Sequence, residues 1–224
     1  MALILNIDTA TGTGSICLSM NGQSISLLKN ENQKDHASWL QEAILQLLSA
    51  SGWGIRDLQA VAVTAGPGSY TGIRVGMASA KGLCYALKIP LITENTLKVM
   101  AHAAQKTARG LASLICPMIN ARRMEVFTAL YNLGLEEIMP PEAIILDANS
   151  FADHLGQHKI LFFGPGSKKW QQGITTYNAF FADVPFSAEN LGKLADQKFD
   201  IQQFTDIIYS EPYYLKSFFT NIGK

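Results

Sequence analysis

The chain has 224 residues, 48% of them apolar, which is enough to bury a core and excludes global disorder. Lysine plus arginine equals aspartate plus glutamate at 18 each, and this balance argues against a protein whose main task is to grip nucleic-acid phosphates. A local basic patch stays open at Arg122-Arg123 and at Lys168-Lys169, although ordinary solvated charges are the simpler interpretation of both pairs.

The first hundred residues predict the element order β-β-β-α-β-α-β-α. Asn21-Gly22 is a hairpin signal between the second and third strands. Three antiparallel strands followed by crossover helices and parallel strands are the ribonuclease-H-like plan. The predicted segments are strands at 3–7, 15–20 and 23–29, a helix at 34–51, a strand at 58–64, a helix at 71–87, a strand at 90–93 and a helix at 96–106.

The second half predicts a shorter copy of the same plan. Its turn at 164–167, Gly-Pro-Gly-Ser, echoes the turn at 66–69. We therefore predict an α/β fold with two tandem ribonuclease-H-like lobes, the plan of the actin, sugar kinase and Hsp70 superfamily, with the second lobe reduced. The lobes are expected at 1–104, completed by 208–224, and at 105–207. The predicted segments are strands at 112–119, 124–131, 138–146 and 160–163, and helices at 150–156 and 188–197.

The three cysteines, Cys17, Cys84 and Cys116, each lie in an apolar stretch and form no Cys-x-x-Cys pair. This pattern excludes a zinc ribbon and predicts buried, reduced thiols. The N-terminal segment lacks the basic start of a signal peptide, and no apolar run is long enough to span a bilayer. We expect a soluble, cytoplasmic protein with no membrane partner.

Two turns are candidates for binding phosphate. The turn after the first strand offers hydroxyls and backbone N–H groups, and a carboxylate at its start can hold a metal ion through water. The alternative for Asp8 is that it caps the turn by accepting from backbone amides. The glycine run at 65–72 is not a P-loop, because the Gly-Lys-Ser/Thr ending is missing. The candidate nucleotide or phosphate ligands are Asp8, Thr9, Thr11, Gly12, Gly66, Gly68 and Ser69.

The helix after the glycine run contains Gly72, Gly76 and Gly82. Each helical glycine costs up to about 1 kcal/mol relative to alanine, so three of them require a reason. Close packing, either on the sheet or on another subunit, is that reason. The candidate interface residues are Tyr70, Thr71, Gly72, Arg74, Val75, Gly76, Ser79, Gly82 and Leu83, with the helix at 34–51 beside them.

Several motifs together make the chain resemble the TsaB (YeaZ) family over nearly its whole length. They are Asp8-Thr9-Ala10, Ala-Gly-Pro-Gly-Ser-Tyr-Thr-Gly-Ile-Arg-Val-Gly at 65–76, Ala-Lys-Gly-Leu at 80–83, Pro90-Leu91, Asn-Ala-Arg-Arg-Met-Glu-Val-Phe at 120–127 and the aromatic tail Glu-Pro-Tyr-Tyr-Leu at 211–215, which we expect to pack back on the body.

The resemblance implies a non-catalytic subunit in the synthesis of threonylcarbamoyladenosine at position 37 of tRNA. It implies heterodimerisation with the catalytic paralogue TsaD, recruitment of the ATPase TsaE, and access to tRNA through that complex. No tightly bound cofactor is expected; ATP or ADP with Mg²⁺ at a subunit interface and a homodimer in the absence of TsaD stay open.

One departure from TsaD concerns metal binding. TsaD-like proteins carry two metal-binding histidines in a helix, and the corresponding positions here hold Thr96 and Met100. No metal site and no catalytic residue are therefore assigned, and His102 is expected to be a packed side chain. His154 and His158 have the i,i+4 spacing of a metal-binding pair, but no third ligand lies close to them in the sequence. Two alternative functions stay open: a nucleotide-binding small-molecule kinase of the same fold, and an M22-type metallopeptidase.

Overall fold

The computed structural model describes residues 2–32, 36–174 and 176–216. Within these ranges it contains ten strands and six α-helices. The first half comprises β1 (Leu3–Asp8), β2 (Gly14–Met20), β3 (Gln23–Asn30), α1 (His36–Ala50), β4 (Ala60–Gly66), α2 (Tyr70–Leu87), β5 (Leu91–Asn95) and α3 (Thr96–Ala108). The second half comprises β6 (Leu114–Asn120), β7 (Glu125–Asn132), β8 (Glu137–Ile145), α4 (Ala152–Gln157), β9 (Ile160–Phe163), α5 (Lys168–Gln171), β10 (Ala179–Ala182) and α6 (Ala188–Asp200).

The strands form two five-stranded sheets of the same plan. The first sheet has the order β3-β2-β1-β4-β5, and the second, read from its other edge, has the order β8-β7-β6-β9-β10. In both sheets the first strand of the lobe pairs antiparallel with the second strand and parallel with the fourth. The predicted α/β fold with two tandem ribonuclease-H-like lobes is confirmed.

The helices explain why the second lobe is smaller. In the first lobe α1 has 15 residues and α2 has 18, whereas their counterparts α4 and α5 have six and four. The Gly164 turn precedes α5 as the Gly66 turn precedes α2, and both glycines have positive φ, +89° and +114°. The sequence predicted this echo but missed α5 and β10, each only four residues long.

The hairpin between β2 and β3 follows from its two turn residues. Asn21 and Gly22 have φ of +52° and +70°, and positive φ at both central positions is what a type I′ turn requires. The predicted apolar stripe of α1 is buried on the first sheet at Leu40, Ile44, Leu47 and Leu48, whereas its first member, Ala37, is exposed.

The elements stack in five layers. Helices α1 and α2 cover the outer face of the first sheet, and α4 and α5 cover the outer face of the second. Helices α3 and α6 lie between the two sheets, where α3 packs mainly on β6 and α6 mainly on β1 and β2. Helix α6 lies within the predicted lobe range 105–207 but packs mainly on the first sheet. The lobe boundaries themselves stay a prediction.

Two further expectations concern burial and membranes. All three cysteines are buried and free, as predicted, and burial raises the pKa of Cys17 and of Cys84 to about 11. In the described ranges no helix has the length and apolarity that a membrane crossing requires.

Candidate functional site

The glycine run folds directly against the turn between β1 and β2. Ser69 caps α2 by accepting from the Gly72 N–H at 3.3 Å, and its own N–H donates to the Ala10 carbonyl at 2.7 Å. A Cβ on Gly68 would lie 2.1 Å from the Ala10 oxygen, and one on Gly72 would lie 2.0 Å from the Thr9 carbonyl oxygen. These two glycines therefore permit backbone-to-backbone contact that no larger residue allows.

Gly76 serves the same contact one turn further along α2. The buried Thr9 hydroxyl donates to the Gly72 carbonyl at 2.7 Å, and a Cβ on Gly76 would lie 2.4 Å from that hydroxyl. Gly72 and Gly76 thus face the interior of this chain and are not available to a partner, which corrects their place among the interface candidates. Gly82 differs, because nothing lies within 4 Å of its Cβ position.

Asp8 makes the contacts that a turn-capping residue requires. It is buried, and its Oδ1 accepts from the Thr64 hydroxyl at 2.7 Å and from the Ala10 N–H at 3.1 Å. Within the described part of the chain, no three histidine, cysteine or acidic side chains come together in a way that could hold a metal ion. The observed contacts of Asp8 are therefore those of the turn-capping alternative, and metal binding through water stays a prediction.

A cleft of about 560 Å³ lies between the lobes. Of the seven residues predicted to bind phosphate, Thr11, Gly12, Gly68 and Ser69 line it, whereas Asp8, Thr9 and Gly66 do not. From the second lobe it is lined by the end of β6, the loop after it and β7, including Asn120, Arg122, Glu125 and Phe127. In the sequence the 120–127 motif was interpreted as a family signature, with Arg122-Arg123 within it as a candidate basic patch, and its place in the opposite wall was not predicted.

The C-terminal segment 211–216 runs along the first-lobe side of this cleft. The Tyr213 N–H donates to the Ala65 carbonyl at 2.7 Å, and a Cβ on Gly66 would lie 2.5 Å from the Tyr213 oxygen. Lys216 forms an ion pair with Glu125 of β7. The predicted return of the aromatic tail to the body is observed as far as residue 216; residues 217–224 lie outside the described ranges.

Arg74 joins this segment to α2. Its Nε donates to the Tyr214 hydroxyl at 2.8 Å, and its guanidinium lies 4.1 Å from the centroid of the Tyr70 ring. The Tyr70 and Tyr214 rings are 5.3 Å apart. Further along α2, Lys81 Nζ donates to the carbonyls of Ile208 and Ser210 at 3.4 and 3.0 Å. The tail is therefore bound along α2 at both ends.

The outer faces of α1 and α2 are exposed and carry small and apolar residues. Leu45 on α1 is 62% exposed and Tyr85 on α2 is 81% exposed. The two helices are joined by a hydrogen bond of 2.9 Å from Gln41 to Ser79. Of the nine interface candidates, Thr71, Arg74 and Gly82 are exposed, Tyr70, Val75, Ser79 and Leu83 are half-buried, and Gly72 and Gly76 are buried.

The positions that would hold histidines in a TsaD-like protein are part of the interior. Thr96 and Met100 are both buried, and Met100 belongs to the core beneath the second sheet. His102 Nδ1 lies 3.0 Å from the Asn190 carbonyl, and burial lowers the pKa of its imidazole. His102 is the packed side chain that the sequence predicted.

Comparison with known proteins yields one consistent set of relatives. A family model for TsaD, described as tRNA N6-adenosine threonylcarbamoyltransferase, matches residues 29–214. The chain is 34% identical over 179 residues to the tRNA threonylcarbamoyladenosine biosynthesis protein TsaB of Bacillus subtilis, covering 76% of this chain and 74% of that protein. It is also 34% identical over 128 residues to the TsaB of Escherichia coli, covering 57% of this chain and about half (54%) of that protein.

Solved structures agree at the level of the fold. YeaZ from Pseudomonas aeruginosa superposes with a TM-score of 0.79 at 22% identity, covering 96% of this chain and 100% of that one. An inorganic polyphosphate/ATP-glucomannokinase from Arthrobacter superposes with a TM-score of 0.51 at 11% identity, covering 90% of this chain and 100% of that one. At these identities both likenesses concern the fold alone.

Proposed function

This chain belongs to the TsaB family, and from that premise we propose that it takes part in the biosynthesis of threonylcarbamoyladenosine in tRNA. The observation that carries the proposal is the set of relatives named for this pathway at 34% identity. The match to the TsaD family model over residues 29–214 supports it, since it relates the chain to the transferase of that name.

Within the pathway we assign the chain the role of a non-catalytic subunit. The reaction requires groups that hold and activate its substrates, and the side chains at the expected positions are committed to the fold. Asp8 caps a turn, Thr9 is bonded to the Gly72 carbonyl, and Thr96 and Met100 are buried where the paralogue carries metal ligands. Catalysis is therefore proposed to reside in a TsaD-like partner.

The proposed docking surface for that partner is the outer face of α1 and α2. Small residues let a facing helix approach closely, and large exposed apolar side chains gain free energy when a partner covers them. On α2 the small exposed positions Ala78 and Gly82 precede Tyr85, and Leu45 adds an aliphatic side chain on α1. A homodimer through the same face in the absence of TsaD is the self-complementary version of this contact.

TsaE and nucleotide are proposed to meet this chain only in the assembled complex. Thr11, Gly12 and Ser69 line the cleft and are the part of this chain proposed to contact an anion there. Calorimetry of the isolated chain with ATP and Mg²⁺ should show weak binding or none, without hydrolysis. Robust turnover by the isolated chain would instead favour the kinase alternative.

The test of heterodimerisation is native mass spectrometry of the purified chain mixed with TsaD from the same organism. We expect a 1:1 complex at micromolar concentration. Gly82→Glu should weaken it tenfold or more, because it places a charge at the centre of the proposed face. The matched control is Gly156→Glu on α4, since Gly156 is also exposed and also has nothing within 4 Å of its Cβ position. If the wild-type chain forms no complex, or if both variants weaken it equally, the proposed surface is refuted.

A further inference from the structure

We propose that a cationic rim on the second lobe, formed by Arg122, Arg123 and Lys168, binds the phosphates of RNA. That the polyanion is RNA rests on the proposed function in tRNA modification. The position and charge of the rim do not depend on that function, nor on the docking surface of α1 and α2.

The fold brings the two basic pairs of the sequence together. Arg122 and Arg123 lie in the loop between β6 and β7, and Lys168 begins α5. Asn120 Nδ2 donates to the Pro165 carbonyl at 3.1 Å, which joins the end of β6 to the turn before α5. The pairs are 45 residues apart along the chain but border the same end of the second sheet.

Lys169 fixes the loop that carries the two arginines. Its Nζ donates to the Arg123 carbonyl at 2.6 Å and to the Glu125 carbonyl at 2.7 Å. The loop also closes on itself, because the Glu125 N–H donates to the Arg122 carbonyl at 2.7 Å. Arg123 has φ of +48°, a left-handed conformation that costs a non-glycine residue free energy. These hydrogen bonds hold the backbone of the loop in one conformation, so less backbone entropy of the loop is lost when the arginines bind a ligand.

The three cations of the rim are exposed, and none of them forms an ion pair with a carboxylate in the described ranges. Two acidic side chains lie beside the loop. Glu125 is paired with Lys216. Asp147, which follows the residue bonded to the Met124 carbonyl, accepts from the Ser150 hydroxyl and from a backbone N–H, so the three cations exceed the carboxylates at this border. Three like charges on one short border repel one another, and the chain as a whole carries no net charge. An excess of positive charge confined to one edge of a neutral protein is complementary to a polyanion.

Exposed aromatic rings beside the rim favour RNA over an acidic protein surface. Arg122 lines the interlobe cleft together with Tyr213 and Tyr214, which are 43% and 39% exposed. Unpaired RNA bases stack on such rings while cations hold the adjacent phosphates. An acidic peptide would use the cations but would gain little from the rings. The Tyr214 hydroxyl is bonded to Arg74 of α2, so RNA on the rim would lie next to the proposed docking surface.

The test measures fluorescence anisotropy of a labelled, unmodified tRNA transcript titrated with the chain alone and with its TsaD complex. The triple variant Arg122→Glu, Arg123→Glu, Lys168→Glu should bind at least tenfold more weakly at 50 mM salt. The slope of its log affinity against log salt should become less negative by about two to three, since each lost phosphate contact reduces the magnitude of that slope by about 0.7–0.9. Tyr213→Ala should weaken binding about fivefold or more without changing that slope.

The matched control is the triple variant Arg56→Glu, Lys106→Glu, Arg109→Glu, which reverses the charge of three exposed side chains that do not line the cleft. It has the same net charge as the rim variant, and we expect its tRNA affinity within twofold of wild type. Equal loss in both variants, or no loss in the rim variant, overturns the proposal. So does a poly-glutamate peptide that binds the rim as tightly as tRNA, because it would identify an acidic protein partner. Native mass spectrometry of the rim variant with TsaD keeps this result separate from heterodimerisation.

Discussion

Replacing Gly76 by alanine should destabilise the chain, although alanine is the better helix former. The substitution gains about 1 kcal/mol of helix propensity. Its new Cβ, however, would lie 2.4 Å from the Thr9 hydroxyl, which then has to turn away from the Gly72 carbonyl. Leaving the buried Thr9 hydroxyl without its acceptor costs about 1–3 kcal/mol, and overpacking the site adds about 1–3 kcal/mol. After the gain in helix propensity is subtracted, the net expectation is a loss of about 1–5 kcal/mol.

Urea unfolding followed by circular dichroism measures this difference. With a slope of about 3 kcal/mol per molar urea, Gly76→Ala should lower the midpoint by about 0.3–1.7 M. Gly82→Ala is the matched control, because its Cβ meets nothing within 4 Å, and it should raise the midpoint by about 0.2–0.3 M. In the Thr9→Ala background the cost of Gly76→Ala should shrink by about 1 kcal/mol or more, since the clashing hydroxyl is gone. The reasoning is refuted if Gly76→Ala stabilises the chain as Gly82→Ala does.

Three further outcomes are expected. Lys198→Met should lower the free energy of unfolding, measured in urea, by about 2–3 kcal/mol, because the buried Glu94 carboxylate loses the Lys198 ammonium that lies 3.0 Å from it. Glu94→Gln in the same background should recover part of this loss, because it removes the unpaired charge. The free energy of unfolding should fall as pH rises from 9 to 11. Burial raises the pKa of Cys17 from 9.0 to about 11, so between these values the thiol ionises mainly in the unfolded chain. Cys17→Ala should make the fall smaller. Arg74→Ala should speed hydrogen exchange at the Tyr213 amide, since it releases the neighbouring tyrosine that holds the tail on α2.

The sequence predicted the strand and helix order well because most elements are long or strongly patterned. The apolar runs of β1 and β4 and the periodic stripe of α1 each identify one element without reference to the rest of the chain. The four-residue α5 and β10 carry too few residues to show a period, and they were missed. The layer occupied by α6 was not predicted, for a different reason. Periodicity indicates that a helix has an apolar face, but not which sheet that face will meet.

The site shows the same division between local and tertiary information. Glycine at 68, 72 and 76 signals a close approach, and that much was predicted. The sequence could not show that the approaching group is the turn at Thr9 and Ala10 of the same chain, because more than fifty residues separate them. Likewise, two basic pairs 45 residues apart looked like ordinary surface charge until the fold placed them on one border.

The exchange of α3 and α6 across the middle layer bears on how such a chain could arise. Each lobe sends the helix that follows its last strand to pack mainly on the other lobe's sheet. A single-copy ancestor would have left this face of its sheet only partly covered, by Val99 of α3, because Leu191 and Leu194, which complete the cluster here, come from the other half. Two ancestral chains that formed a helix-swapped dimer would have covered both sheet faces. Gene fusion would then have joined the two chains into one. Halves of this protein expressed separately should therefore fold only when they are mixed or co-expressed.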